Sequence, residues 1–83
     1  MMHIYKVPLV LTRQPEGGYT VTSPLLPELV TEGDTLDEAL MHVHDAVQAV
    51  VELYEDLGKP LPASIRQSAE AETLQFEYAV AVP

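Results

Sequence analysis

The chain contains no cysteine, which removes disulfide staples, thiolate metal sites and thiol nucleophiles together. It has no tryptophan and one phenylalanine, so although 47% of its residues are hydrophobic the core has to be assembled mainly from Leu, Val and Ala. Cations are scarce as well. Four Lys and Arg stand against thirteen Asp and Glu, a formal net charge of −9, and such a chain neutralises few phosphates while its field repels a nucleic-acid backbone. Direct DNA binding by the isolated chain is therefore not expected. No run of about 18 apolar residues occurs, and the opening Met1–Lys6 meets Pro8 before a signal peptide's apolar stretch develops. Both absences lead to the expectation of a cytoplasmic protein with no membrane association.

What is present is a clear set of periodicities. Tyr5, Val7, Leu9 and Leu11 alternate with Lys6, Pro8, Val10 and Thr12, the period of a half-buried strand. Pro8 cannot donate to a ladder and predicts an irregularity there. Gln14-Pro15-Glu16-Gly17-Gly18 supplies a hairpin turn, after which Tyr19–Ser23 resumes the alternation. Two prolines break the pattern at Pro24–Glu28, and Leu29–Glu32 forms a short third strand ended by Gly33-Asp34.

From Thr35 the period becomes helical. Leu36, Leu40, Val43, Val47, Val50, Tyr54 and Leu57 lie on one stripe. Thr35 and Glu38 make a T-x-x-E capping box, Asp34 and Asp37 complement the positive end of the helix dipole, and Gly58 is the natural terminator. Residues 64–73 carry no clear period beyond a possible short turn. Leu74, Phe76, Tyr78, Val80 and Val82 then alternate with Gln75, Glu77, Ala79 and Ala81, which predicts a fourth strand beside the first. The expected fold is α+β: a single domain over residues 1–83, two-layered, in the order β-β-β-α-β, its small sheet covered on one face by one long helix.

Catalytic groupings are hard to assemble from these parts. Glu38, His42 and Asp45 share one helix face at spacings of four and three, which is the one arrangement that suits a small metal-dependent hydrolase or ligand-binding protein. His42 and His44, two apart, point to nearly opposite sides and cannot grip one ion. There is no nucleophile elbow and no phosphate-cradling glycine loop. A two-metal nuclease needs carboxylates projecting from its strands, and His3–Thr12 contains none. No enzymatic activity, catalytic residue, metal or cofactor is expected.

The stretch from Gly18-Tyr19 through Leu26-Pro27, Thr31-Glu32-Gly33-Asp34-Thr35 and Glu38-Ala39-Leu40 to Gly58-Lys59-Pro60-Leu61-Pro62 resembles the HicB-type antitoxins. The likeness covers roughly residues 4–64. It implies a partial ribonuclease-H-like fold without that fold's catalytic acids, acting by binding and blocking a small basic RNA-cleaving toxin of the HicA type. Two departures are visible. Family members usually have glycine after the Leu-Pro where this chain has Glu28, and many carry a C-terminal DNA-binding segment, whereas here Pro83 follows a strand pattern. On this resemblance the partner-binding surface is expected around Pro24–Glu38, with Glu28, Glu32, Asp34 and Asp37 as charge contacts. An orphan oligomeric scaffold is the remaining reading. A small domain has a thin core, hiding roughly 60–65% of the unfolded surface, and an exposed apolar strand tends to pair with another chain. A homo-oligomer, dimer or tetramer, is accordingly expected through Leu74, Phe76, Tyr78, Val80 and Val82.

Overall fold

A computed structural model describes residues 3–83. Its elements are β1 (Ile4–Tyr5), β2 (Val10–Arg13), β3 (Tyr19–Thr22), β4 (Val30–Gly33), α1 (Leu36–Leu57) and β5 (Arg66–Gln67). Strands β2, β3 and β4 form an antiparallel meander, and β1 pairs antiparallel with β5. The α+β architecture expected from the sequence, a small antiparallel sheet with one long helix packed on it, is the one observed.

The hairpin between β2 and β3 follows from its turn residues. The Gly17 N–H donates to the Gln14 carbonyl and the Gln14 N–H to the Gly18 carbonyl, both at 3.0 Å, and Gly17 and Gly18 have φ of 104° and 83°. This is a three-residue loop closed by a glycine bulge. Leu11 then falls opposite Val21, and Val21 opposite Thr31, which places Val21, fully buried, at the centre of the core face.

Pro8 splits the first predicted strand in two, β1 ending at Tyr5 and β2 starting at Val10. The alternation has the same phase on either side of the break, with Tyr5, Val7, Leu9 and Leu11 half-buried and Lys6, Val10 and Thr12 exposed, while Pro8 at the break is itself half-buried.

Helix α1 begins and ends where its caps dictate. The Thr35 side chain accepts from the Glu38 N–H at 3.1 Å. The Glu38 carboxylate reaches back to the Asp34 N–H at 3.2 Å, one residue before the N-cap amide that a standard capping box uses. At the far end Gly58 adopts φ 64°, its N–H donating to the Glu55 carbonyl and that of Lys59 to the Tyr54 carbonyl, the double bond of a Schellman ending.

The core is supplied as much by loops as by regular elements. Its cluster is Leu26, Leu29, Val50, Tyr54 and Ile65, with Tyr5, Val7, Leu9, Ala46, Val47 and Leu61 packed on it. Leu26 and Leu29 come from the proline-flanked loop, turned inward because the Leu29 N–H donates to the Leu26 carbonyl at 3.0 Å. Leu57, by contrast, lies beyond the sheet and is exposed, so the buried part of the helix stripe stops at Tyr54.

The returning strand is a correction. Residues 74–82 form no strand, and their alternating apolar side chains Leu74, Phe76, Tyr78, Val80 and Val82 are between 42 and 80% exposed. It is Arg66–Gln67, inside the stretch without clear periodicity, that returns to β1, with the Lys6 N–H donating to the Ile65 carbonyl at 2.7 Å. Ile65 anchors this pairing by burying its side chain in the core. A single anchor of this kind leaves no period to read.

Candidate functional site

The acidic residues of the β4–α1 region gather around a hollow at one end of the sheet. Its walls are the hairpin turn (Gln14, Glu16, Gly17, Gly18, Tyr19), the end of β4 (Thr31, Glu32, Gly33, Asp34) and the first turns of α1 (Glu38, His42). The local chemistry of the chain builds this arrangement. Gly33 lets β4 pass against the helix start: a Cβ there would overlap the Ala39 amide nitrogen and sit 2.7 Å from the Ala39 Cα. Gly18 is similarly placed, since an added Cβ would lie 3.0 Å from the Gly33 carbonyl oxygen. A turn glycine and a strand-end glycine therefore bring the turn, the strand end and the helix start into one wall.

Four carboxylates, Glu16, Glu32, Asp34 and Glu38, line the hollow, with no Lys or Arg among its lining residues. Small-molecule sites are mostly apolar with a few placed polar groups, whereas the Lys, Arg, Asp and Glu residues that line this hollow are all of one sign. His42 is held in place by its own bond. Its Nδ1 lies 2.6 Å from the Glu32 carbonyl oxygen, and because a carbonyl only accepts, Nδ1 carries the proton.

The four residues expected at the partner surface separate. Glu32 and Asp34 share the hollow, Asp37 stands exposed on the first turn of α1 outside it, and Glu28 lines a separate depression with Leu29, Val30 and Leu53. Glu28 is engaged within the chain. The Tyr54 hydroxyl donates to its Oε1 at 2.6 Å, the Lys59 ammonium is 3.7 Å from its Oε2, and Lys59 also lies over the Tyr54 ring at 4.7 Å. The Tyr54 hydrogen bond, followed by Glu28's own backbone, holds the Glu28 carboxyl below the usual carboxylate range. The same bond pushes the Tyr54 hydroxyl above the usual tyrosine value. Glu28 takes the place after Leu26-Pro27 without a left-handed backbone, since among the described residues none other than glycine has positive φ. Its side chain is absorbed by Tyr54 and Lys59.

The Glu38, His42, Asp45 face is divided. Glu38 and His42 line the hollow, but Glu38 is bonded to the Asp34 amide and His42 to the Glu32 carbonyl, while Asp45 lies outside it, 3.6 Å from His44. Among the described residues no group of three or more His, Asp and Glu is close enough together to hold a metal ion. Glu16 escaped the sequence reading. Its position in a hairpin turn marked it as a loop residue, and only the packing of that turn against Gly33 makes it part of the acidic wall.

These features define a small acidic α+β protein with several of its carboxylate residues gathered around one hollow. No protein-family model matches the chain. It is 44% identical over 64 residues to Antitoxin HicB 1 of Photorhabdus laumondii, covering 75% of this chain and 41% of that protein. Antitoxin HicB of Escherichia coli K12 is 36% identical over 62 residues, covering 72% of this chain and 45% of the relative. UPF0150 protein Ta0767 of Thermoplasma acidophilum is 32% identical over 69 residues, which span 83% of this chain and 96% of that one. The chain belongs to the HicB-type antitoxin family. It spans less than half the length of the two HicB relatives. Among the described residues no helix is long and apolar enough to cross a membrane.

Proposed function

We propose that this chain is the toxin-binding unit of an antitoxin, a single recognition domain that acts in the cytoplasm by direct contact and carries out no reaction of its own. The observation that carries the proposal is the acidic hollow, where Glu16, Glu32, Asp34 and Glu38 converge with no cation among the lining residues. A basic RNA-cleaving toxin of the HicA type presents a surface made for phosphates, and carboxylates at these positions occupy it in their place. Complementary charge of this kind speeds encounter and selects the partner. The names of the relatives support the antitoxin role, and the HicA-type partner follows from the resemblance set out above. Glu28 is left out of the contact set because its carboxylate is already satisfied by Tyr54 and Lys59. DNA is not a ligand of the isolated chain on this reading, since its net charge of −9 opposes it.

Titration calorimetry with a purified HicA-type toxin tests the proposal. Binding should weaken as salt rises, and the double reversal Glu32→Lys, Asp34→Lys should weaken it at least about tenfold, the scale of a lost charge-pair contact, with an unchanged circular dichroism spectrum. Glu28→Gln should leave the affinity close to that of the wild type. Unchanged affinity in the double variant removes the hollow from the interface, and no binding at low salt rejects the toxin as partner.

A further inference from the structure

Two features of the molecule are unmatched, and each fits the other. The first is the 74–82 segment, whose five alternating apolar side chains are 42–80% exposed and whose backbone belongs to no ladder. Every residue of it is exposed. The radius of gyration is 13.8 Å, against about 12 Å expected for a compact chain of this length.

The second feature is the outer edge of the β1–β2 line. Antiparallel pairs alternate between bonded and non-bonded, so the Gln14–Gly18 bond assigns the groups of Val10 and Thr12 to β3 and turns those of Leu11 and Arg13 outward. Just after β1, Lys6 faces the β5 side through its bond to Ile65, and Lys6 has the same parity as Val10 and Thr12. The side-chain alternation has the same phase before and after Pro8, so β5 and β3 lie along the same side of the line. Tyr5, Val7, Leu9, Leu11 and Arg13 thus direct their backbone groups to the opposite side, where among the described residues they meet no partner. Pro8, the one residue of this line without an N–H, has the inward parity and so removes no donor from this edge, although the strand itself is broken there. The other end of the meander is not equivalent, because His42 already occupies the Glu32 carbonyl on the outer edge of β4.

Charge matches as well. Lys6 and Arg13, two of the four cations, lie on this line, which has no carboxylate from His3 to Arg13, whereas Glu70, Glu72 and Glu77 precede or interrupt the apolar segment. We propose that residues 74–82 of one copy of this chain add as a strand to the outer edge of Tyr5–Arg13 in a second copy, reciprocally, forming a two-fold dimer. Leu74, Phe76, Tyr78, Val80 and Val82 then lie on the helix side of the sheet, beside the half-buried Leu9 and Leu11. A second copy is the occupant rather than the chain's own segment because β5 leaves on the opposite side of β1. The same chain has to cross the end of that strand to reach the open edge, and consecutive strands normally neighbour one another directly. A reciprocal exchange closes both edges with one symmetric contact.

The absence of cysteine permits a direct test. Thr12→Cys protein is mixed in turn with Gln75→Cys, Glu77→Cys, Ala79→Cys and Ala81→Cys proteins under mild oxidation, and the products are separated by mass. One or two adjacent positions should give a mixed disulfide dimer, and Thr12→Cys with Gln48→Cys on the helix should give none. In sedimentation equilibrium the wild type should be a dimer, and Tyr78→Lys, with its secondary structure intact by circular dichroism, should weaken it at least about tenfold, as loss of an aromatic anchor does. A wild-type monomer at every concentration, a dimer indifferent to Tyr78→Lys, or a disulfide that forms within a single Thr12→Cys, Ala79→Cys chain at high dilution would each overturn the proposal.

Discussion

Strand β3 and the 74–82 segment carry the same kind of sequence and have opposite fates. Both alternate, β3 through Tyr19 and Val21, the later segment through five apolar residues with small or polar ones between them. Between β2 and β4, Val21 is wholly buried, whereas Val80 is 62% exposed with no neighbouring strand. Alternation describes how well side chains suit a pleated, half-covered surface. The hydrogen-bonding partner has to come from elsewhere in the fold, and β3 has one on each side within about ten residues. Among the described residues the 74–82 segment has none.

The sharpest way to probe this contrast is to place the same charge at both positions. Val21→Asp puts an unpaired carboxylate into the centre of the core and should abolish cooperative folding, because burying such a group costs several kcal/mol against a total stability of about 5–15 kcal/mol. Val80→Asp should shift the urea midpoint of the dilute protein by less than about 0.5 kcal/mol, as for surface positions generally. A large loss from Val80→Asp at the lowest usable concentration means that the segment is packed within its own chain, contrary to what its exposure shows. A smaller effect is expected where the sheet meets the helix. Gly33→Ala forces a methyl into the Ala39 backbone, which cannot rotate away as a side chain does, and should cost about 1–3 kcal/mol in chemical denaturation. Gly17→Ala meets no atom within 4 Å but demands a left-handed alanine, so its milder loss would separate backbone strain from overlap.

The smallest effect concerns pH, at the edge of the core. The Glu28 carboxyl titrates below its usual value of 4.5 in the folded chain, chiefly through the Tyr54 hydroxyl. Its contribution is therefore present above that value and lost as pH falls through the folded one. Tyr54 titrates above its usual value of 10.0, through the same bond, so its contribution is present below 10.0 and lost as pH rises through the folded value. Melting temperatures of Glu28→Gln compared with the wild type should converge as the solution is acidified below pH 4.5. A constant difference down to full protonation would show that the bond to Tyr54 is not what couples Glu28 to stability.

Much of the site was legible because its parts are local. Thr35, Glu38 and Gly58 mark the helix ends through bonds spanning three to five residues, and Gly17-Gly18 marks the hairpin through its own φ angles. Glu32 and Asp34 follow as acidic residues at a strand end and helix start. Glu16 and Glu28 do not follow so simply. Glu16 joins the hollow because a turn packs against a distant strand, and Glu28 lies outside it, bonded to Tyr54, 26 residues away.

By itself the sequence determined the alternating phase of the strands, the helix from Leu36 to Leu57 with both caps, the hairpin and the strongly negative charge, since each depends on residues within a turn or two of one another. The tertiary structure alone decided which short segment returns to β1, that Leu26, Leu29 and Ile65 form the deepest packing, that Gly33 is required by backbone proximity rather than by its φ, and that residues 74–82 stay unpaired. Each of these depends on which distant surfaces meet. A strand two residues long or a leucine in a loop has no period to announce it, and its burial is settled by competition among all the apolar groups for one small core.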